Sequence, residues 1–293
     1  MDIPAPDKVS RVDNMAGKVC LITGASGALG KSTALGLARL GASVIMACRD
    51  EARGEADRAQ VEAASGNSGV KLMPLDLASQ QSVRELAARF KAENGRLDVL
   101  INNASVFKGT RSVTPEGLET MFATNHLGHF LLTNLLLEEL KASPQARVIN
   151  ITAPSTTKLD FDDLQGERKF SALSAFGASK MCNLLFTYEL ARRLVGSQVT
   201  SNALHPGLMK SNLMSEAPAP IRWLTRLFSS TPERASVSLL YLASSAHLAR
   251  VTGKFFKGIK VSNSSSYSRD EDVQRRLWDV SGELVGLVSS PGT

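Results

Sequence analysis

Cysteine is scarce: Cys20, Cys48 and Cys182 are the three in 293 residues. Odd in number, far apart and set among apolar neighbours, they have neither metal-ligand spacing nor the pattern of a disulfide framework. They are expected to be reduced and buried. No apolar run approaches the roughly 18–20 residues that span a bilayer. Met1–Asn14 mixes acids, bases and two prolines and lacks the apolar stretch of a secretory leader. These absences point to a cytoplasmic protein with no membrane span and a loosely ordered lead-in over residues 1–16. Lysine and arginine outnumber aspartate and glutamate by 34 to 28, but the cations are scattered among acids. Without a basic stripe interleaved with aromatics, nucleic acid is not an expected partner, and a bound anionic cofactor accounts for the excess. His126 and His129 stand three apart with no third ligand in sight, which argues against a metal centre.

What is present is the make-up of a globular chain, 43% hydrophobic and 21% charged. A chain of this length can bury one sizeable core, and no repeat or linker divides it, so residues 17–293 are read as one domain. Lys18–Thr23 is a short apolar run that ends directly in Gly24-Ala-Ser-Gly-Ala-Leu-Gly30, and Lys31–Leu40 follows at helical spacing. Strand, glycine turn and helix in that order can cradle a pyrophosphate, because the backbone passes close and the helix start offers free N–H groups. A Gly-rich turn between core elements would look the same. Ser43–Ala47 is the next strand, followed by Cys48 and Arg49 with no acid at its end. An acid there would hold a ribose 2′-hydroxyl and an arginine a 2′-phosphate, so Arg49, if it is more than a solvated charge, favours NADP(H) over NAD(H). Asp50 and Glu51 are read as first-turn acids of a helix over Glu51–Ala64.

The alternation continues. Val70–Leu75 is a strand ending at Asp76-Leu77; Ser79 caps a helix over Gln80–Lys91; Asp98–Asn102 is a strand ending in Asn102-Asn103-Ala104. Thr114-Pro-Glu-Gly opens a long helix through Leu140, apolar on more than one face, which suggests burial or a subunit interface. Asn125 within it is either a satisfied core amide or a catalytic one. Arg147–Thr152 is a strand, Thr157–Lys169 an acid-rich connection, Ala175–Val195 a helix, and Val199–Leu204 a strand ending in His205-Pro206-Gly207. The proline-hinged stretch 212–230, with Trp223, Leu224 and Phe228, reads as a lid over an apolar substrate, an interfacial helix or plain packing, the lid being favoured. A helix from Thr231 to Ser244, a last strand within Val251–Val261 and a helix over Asp270–Val285 complete the chain. Strands alternating with helices predict a single-domain Rossmann-like α/β fold, a doubly wound parallel sheet with helices on both faces.

These stretches together resemble the short-chain dehydrogenase/reductase family, in particular its retinol-dehydrogenase-like branch, from about Gly17 to Gly286. The carriers are Thr23-Gly-Ala-Ser-Gly-Ala-Leu-Gly30, Ala47-Cys-Arg-Asp50, Asp76-Leu77, Asn102-Asn-Ala104, Asn125-His-Leu-Gly-His129, Leu164-Gln-Gly-Glu167, Ser179-Lys180 and His205-Pro-Gly207. The resemblance implies an NADP(H) site built from Gly24, Ser26, Gly27, Leu29, Gly30, Arg49, Asp76, Leu77, Asn102, Ala104, Lys180, Pro206 and Gly207. Asp76 would meet the adenine and Lys180 the nicotinamide ribose. It also implies a catalytic Asn, Ser, Tyr and Lys. Asn125 and Lys180 match. Phe176 stands four residues before Lys180, on the same helix face, where the tyrosine belongs, and Ala153 stands where the serine belongs unless Ser155 or Thr152 serves. Ala28 replaces the family's middle glycine, and Ser105 follows Asn102-Asn-Ala104 where glycine is usual.

Phenylalanine moves no proton and alanine holds no carbonyl oxygen. Three functions remain: an oxidoreductase of altered mechanism on a lipophilic carbonyl or alcohol, a non-redox isomerase or cyclase on the same scaffold, and a catalytically silent NADP(H)-binding protein. A homodimer or homotetramer is expected, because Asn125–Leu140 and Met181–Leu190 are apolar enough to pair across a two-fold axis.

Overall fold

The computed structural model describes residues 12–207, 213, 216 and 230–287. Eight strands form one sheet in the order β3-β2-β1-β4-β5-β6-β7-β8. They are β1 Val19–Thr23, β2 Ser43–Cys48, β3 Val70–Pro74, β4 Val99–Asn102, β5 Ala146–Ile151, β6 Val199–His205, β7 Lys254–Lys257 and β8 Lys260–Ser262. All neighbouring pairs are parallel except β7 with β8, which form an antiparallel hairpin where one strand was expected.

Successive residues of a strand point to opposite faces, and here both faces are buried. Leu21, Ile45, Leu100 and Val148 pack on one side beneath α3 (Gln80–Glu93), α4 (Gly128–Leu135), α5 (Ala172–Arg193) and α7 (Glu271–Leu284). Ile22, Val44, Ile101 and Ile149 pack on the other beneath α1 (Ala28–Arg39), α2 (Glu51–Ser65) and α6 (Pro232–Ser244). A sheet covered twice requires strands that are apolar almost throughout, which is how these strands read. The result is a single-domain, doubly wound Rossmann-like fold. Its strand order reverses direction between β1 and β4, and such reversals open a crevice beyond the strands' C-terminal ends.

The expected Thr114–Leu140 helix is broken. Thr114–Gly117 is a turn closed by Gly117 N–H to Thr114 O at 2.9 Å. The helix begins only at Thr120, where the Glu119 carboxylate accepts from the Met121 and Phe122 N–H groups. A π-helical turn at Ala123–Leu127 then precedes α4. Asn125 sits in that turn. From the two apolar stretches, Leu131, Leu132, Met181, Leu184 and Leu185 are fully buried in the chain's own core.

The end of the lead-in is also better tied than its composition suggested. Met15 N–H donates to Leu40 O at 2.7 Å, and the Asp13 carboxylate accepts from Ala246 N at 2.7 Å. Most of the lid segment 212–230, including Trp223, Leu224 and Phe228, lies outside the described residues, as do residues 1–11. All three cysteines are unpaired and buried.

Candidate functional site

A cleft of about 950 Å³ opens at the C-terminal ends of β1 to β4, a volume in the range of ligand pockets. Gly24, Ser26, Gly27, Leu29, Gly30, Arg49, Asp76, Leu77 and Ala104, from the expected cofactor set, all line it. Gly24 makes the turn possible: its φ is +63°, and a Cβ there would lie 2.8 Å from Ala104 Cα, so only glycine is unstrained. Gly27 starts α1 with no side-chain cap, leaving the first-turn N–H groups and the positive end of the helix dipole facing the cleft. Ala28, the departure from the family's glycine pattern, is exposed at the helix start and lines the cleft without closing it.

Beyond β2 the Asp50 carboxylate is occupied as the cap of α2, accepting from Arg53 N at 3.0 Å. Two guanidinium groups line this end, Arg49 and Arg53. Arg53 was not anticipated; its Nη2 donates to Ser26 O at 2.9 Å. Its position in the first turn of α2, four residues after Arg49, is the signal that could have found it.

Asn102 does not face the cleft. Its amide is buried and donates to Thr133 Oγ1 at 3.0 Å and Asn150 Oδ1 at 2.8 Å, so it joins β4 to α4 and β5. The neighbouring Asn103 lines the cleft instead and ties itself to Thr23 O at 2.8 Å. The two differ by one position in a strand end, and side chains there alternate.

Asn125 is fully buried. Its amide accepts from Val106 N at 2.8 Å and donates to Val106 O and Ser179 Oγ, each at 3.0 Å. These bonds tie the loop after β4 to α5. The Asn125 carbonyl accepts from His129 Nδ1 at 3.2 Å, and His129 Nε2 meets Thr23 Oγ1 at 2.8 Å. Thr23 Oγ1 in turn accepts from Asn103 N and Ala104 N at 2.9 and 3.0 Å. Burial holds His129 neutral, pushing its pKa down to about 4. One tautomer satisfies both ends, with Nδ1 donating and Nε2 accepting. His126 Nε2 in turn meets Ser281 Oγ at 2.8 Å, so each histidine holds a buried side-chain contact.

Lys180 is buried, with 5% of its surface exposed. Its ammonium donates to Ser105 Oγ at 2.8 Å, and Ser105 lines the cleft. Burial pushes its pKa down from 10.5 to about 8, because the charged form loses hydration. The Phe176 ring lies over the ammonium at 5.2 Å and meets Phe107 edge-on at 5.6 Å. Ala153, half-buried, follows β5. The two hydroxyls near it are committed: Thr152 Oγ1 donates to Lys180 O at 2.7 Å and Ser155 Oγ to Gly177 O at 2.8 Å. His205 ends β6, where burial lowers its pKa, and Pro206 and Gly207 follow it, Gly207 with φ +92°.

Residues 18–221 match the short chain dehydrogenase family. The chain belongs to the short-chain dehydrogenases. Within that family it falls in the retinol-dehydrogenase-like branch: it is 45% identical to human retinol dehydrogenase 13 over 92% of this chain and 85% of that protein. It is 46% identical to mouse retinol dehydrogenase 12 over 92% of this chain and 87% of that one. A solved structure of an uncharacterised protein from Mycobacterium paratuberculosis superposes on this short-chain dehydrogenase with a TM-score of 0.76, at 33% identity, covering 94% of this chain and 95% of that chain. The Pseudomonas aeruginosa RhlG/NADP active-site complex superposes with a TM-score of 0.69 at 25% identity, covering 88% of this chain and 99% of that chain. No described helix of this family member is long and apolar enough to cross a membrane.

Proposed function

We propose that this chain binds NADP(H) in the cleft and acts as an oxidoreductase on a lipophilic carbonyl or alcohol, through an active site impaired at Phe176 and Ala153. The observation that carries the cofactor reading is the pair Arg49 and Arg53 at the end of β2, beside an acid already spent as a helix cap. Two guanidinium groups suit a 2′-phosphate, whereas a free carboxylate would repel one. The residues fit the rest of such a molecule: uncapped N–H groups at the start of α1 for the pyrophosphate, Asp76 for the adenine, and the spare ammonium donors of Lys180 for the nicotinamide ribose. Bound there, the cofactor would supply the hydride.

The names of the retinol dehydrogenase relatives support a lipophilic substrate. The RhlG/NADP complex supports the cofactor. A cytoplasmic homodimer or homotetramer accompanies this reading. A silent NADP(H)-binding protein is the second reading, favoured by one observation: Thr152 and Ser155, the hydroxyls nearest Ala153, both donate to backbone carbonyls of α5.

Calorimetric titration with NADPH and NADH tests the cofactor reading. NADPH should bind about tenfold or more tightly than NADH, and Arg49→Ala with Arg53→Ala should erase most of that difference, as loss of charge-assisted bonds to one phosphate predicts. Equal affinities for both nucleotides would refute the assignment. NADPH oxidation with an aldehyde by the unmodified protein would discard the silent reading.

A further inference from the structure

We propose that Ser105 supplies the hydroxyl that Phe176 lacks, so that Ser105 and Lys180 form the proton-delivering pair of this enzyme. The inference rests on the NADP(H) oxidoreductase reading above and names the residue that would complete it. Three hydroxyls that contact the Lys180 helix have their hydrogens committed. Thr152 donates to Lys180 O, Ser155 to Gly177 O and Ser179 to Phe176 O, at 2.7, 2.8 and 2.8 Å. Ser105 differs. Its Oγ accepts from Lys180 Nζ at 2.8 Å, and its own hydrogen has no acceptor among the described residues. It also lines the cleft, between Ala104 and Val106, where the others do not.

The backbone around it is held for the purpose. Asn125 fixes Val106 through both its amide atoms, and Thr23 fixes Ala104 N at 3.0 Å. Ser105 therefore sits between two anchored neighbours, which limits the directions its side chain can take. Lys180 is anchored too, its stem buried in α5 and its ammonium capped by the Phe176 ring. A hydroxyl with its oxygen bonded to an ammonium has its own proton made more acidic, and the ammonium stands ready to replace that proton.

The step balances. As the carbonyl carbon accepts hydride, carrying both electrons, its C–O π pair moves to oxygen, which takes the proton from Ser105 Oγ. Ser105 regains a proton from Lys180 Nζ, and Lys180 recovers one from water in the cleft. The alcohol leaves with one proton and the hydride that a bound NADPH would supply. In the reverse direction neutral Lys180 receives the proton through Ser105. A lysine whose burial brings its pKa to about 8 can serve either direction near neutral pH.

Ser105→Ala is the decisive variant, with Ser105→Gly beside it in case the methyl group packs badly. Each is tested with NADPH against retinaldehyde and nonanal, together with NADPH affinity and the pH dependence of Lys180 acetylation without cofactor. Loss of the relay should lower kcat by about 10²-fold or more with KM and NADPH affinity changed by no more than about threefold. The midpoint of Lys180 labelling should move to lower pH, because an acceptor favouring the ammonium has gone. In a Phe176→Tyr background the same Ser105 substitution should cost far less. A kcat within about twofold of the unmodified protein, or an unmoved Lys180 midpoint, overturns the relay. NADPH binding with no reduction of either aldehyde by the unmodified protein overturns it as well, while sparing the cofactor assignment. Failure to bind NADPH overturns the cofactor assignment itself.

Discussion

Lys180 carries a cost that the fold tolerates. A cation with 5% exposure and no carboxylate partner among the described residues is destabilising while charged, and burial accordingly draws its pKa from 10.5 to about 8. Between those values the unfolded chain holds a proton that the folded chain has released, so stability rises with pH across that window. Below about 8 the penalty is fully present, amounting to about 3 kcal/mol when the whole shift is converted. Lys180→Met should therefore be more stable than the unmodified protein at pH 7, by up to that amount. The advantage should shrink as pH rises through 8 towards 10. Urea unfolding at the two pH values measures this directly, and a gap independent of pH would contradict a charged, desolvated lysine. Retaining such a residue at a stability cost is what a functional group looks like. Phe176 softens the cost with a cation–π contact but offers no proton. Restoring the family pair by Phe176→Tyr with Ala153→Ser should raise aldehyde reduction with NADPH by about 10²-fold if proton delivery limits the reaction. No gain would mean that chemistry is not what limits turnover.

At the scale of elements, the broken helix before α4 holds the cleft in place. The π-helical turn at Ala123–Leu127 lets the Asn125 carbonyl meet His129 Nδ1, and His129 carries the connection on to Thr23 at the end of β1. Immediately after the turn, Gly128 lets α4 approach the loop after β3: a Cβ there would lie 2.5 Å from Leu77 O and 2.9 Å from Leu77 Cβ. Leu77 lines the cleft and cannot give way without moving it. Gly128→Ala should cost about 1–3 kcal/mol of stability by overpacking and also weaken NADPH binding. Thermal unfolding and calorimetry on one preparation would separate the two effects, and unchanged affinity would show that the loop absorbs the strain harmlessly. None of this was legible in the residues. The run from Thr114 to Leu140 has continuous apolar periodicity, and periodicity does not register a π-turn or a delayed start. The cap that sets the start, Glu119, lies inside the pattern and works through its own side chain on the Met121 and Phe122 N–H groups. The loop geometry that commits Ser155 and Thr152 to backbone carbonyls, and brings Ser105 Oγ to Lys180 Nζ, was equally hidden, because hydroxyl partners are set by tertiary contacts. By contrast Ser79 caps its helix as its residue type announces, whereas Asp50, read as a first-turn acid, is the N-cap of α2.

Across the whole molecule, alternating apolar runs were enough to give the doubly wound sheet, because strands buried on both faces have little freedom in composition. The crevice at the β1–β4 reversal follows from the strand order, and residues of the glycine turn, β2, β3 and β4 converge there as the chain order implies. Asn102 and Asn103 were not separable without the structure, since one residue of register decides which faces the core. The same topology makes a prediction for the molecule as one cooperative unit. A ligand in this crevice touches elements on both sides of the reversal, so binding should hold the two halves of the sheet together rather than stiffen one loop. NADPH at about 100 times its dissociation constant should add about 2.7 kcal/mol to unfolding, seen as a concentration-dependent rise in Tm. Equal concentrations of NADH should raise it less. Hydrogen exchange should slow at the amides of Thr23–Gly27, Asp76–Leu77 and Asn103–Val106, and stay unchanged at Lys260–Ser262 in β8, the edge strand farthest from the crevice. Protection confined to β6 to β8, or a rise in Tm without protection at the glycine turn, would place the nucleotide elsewhere.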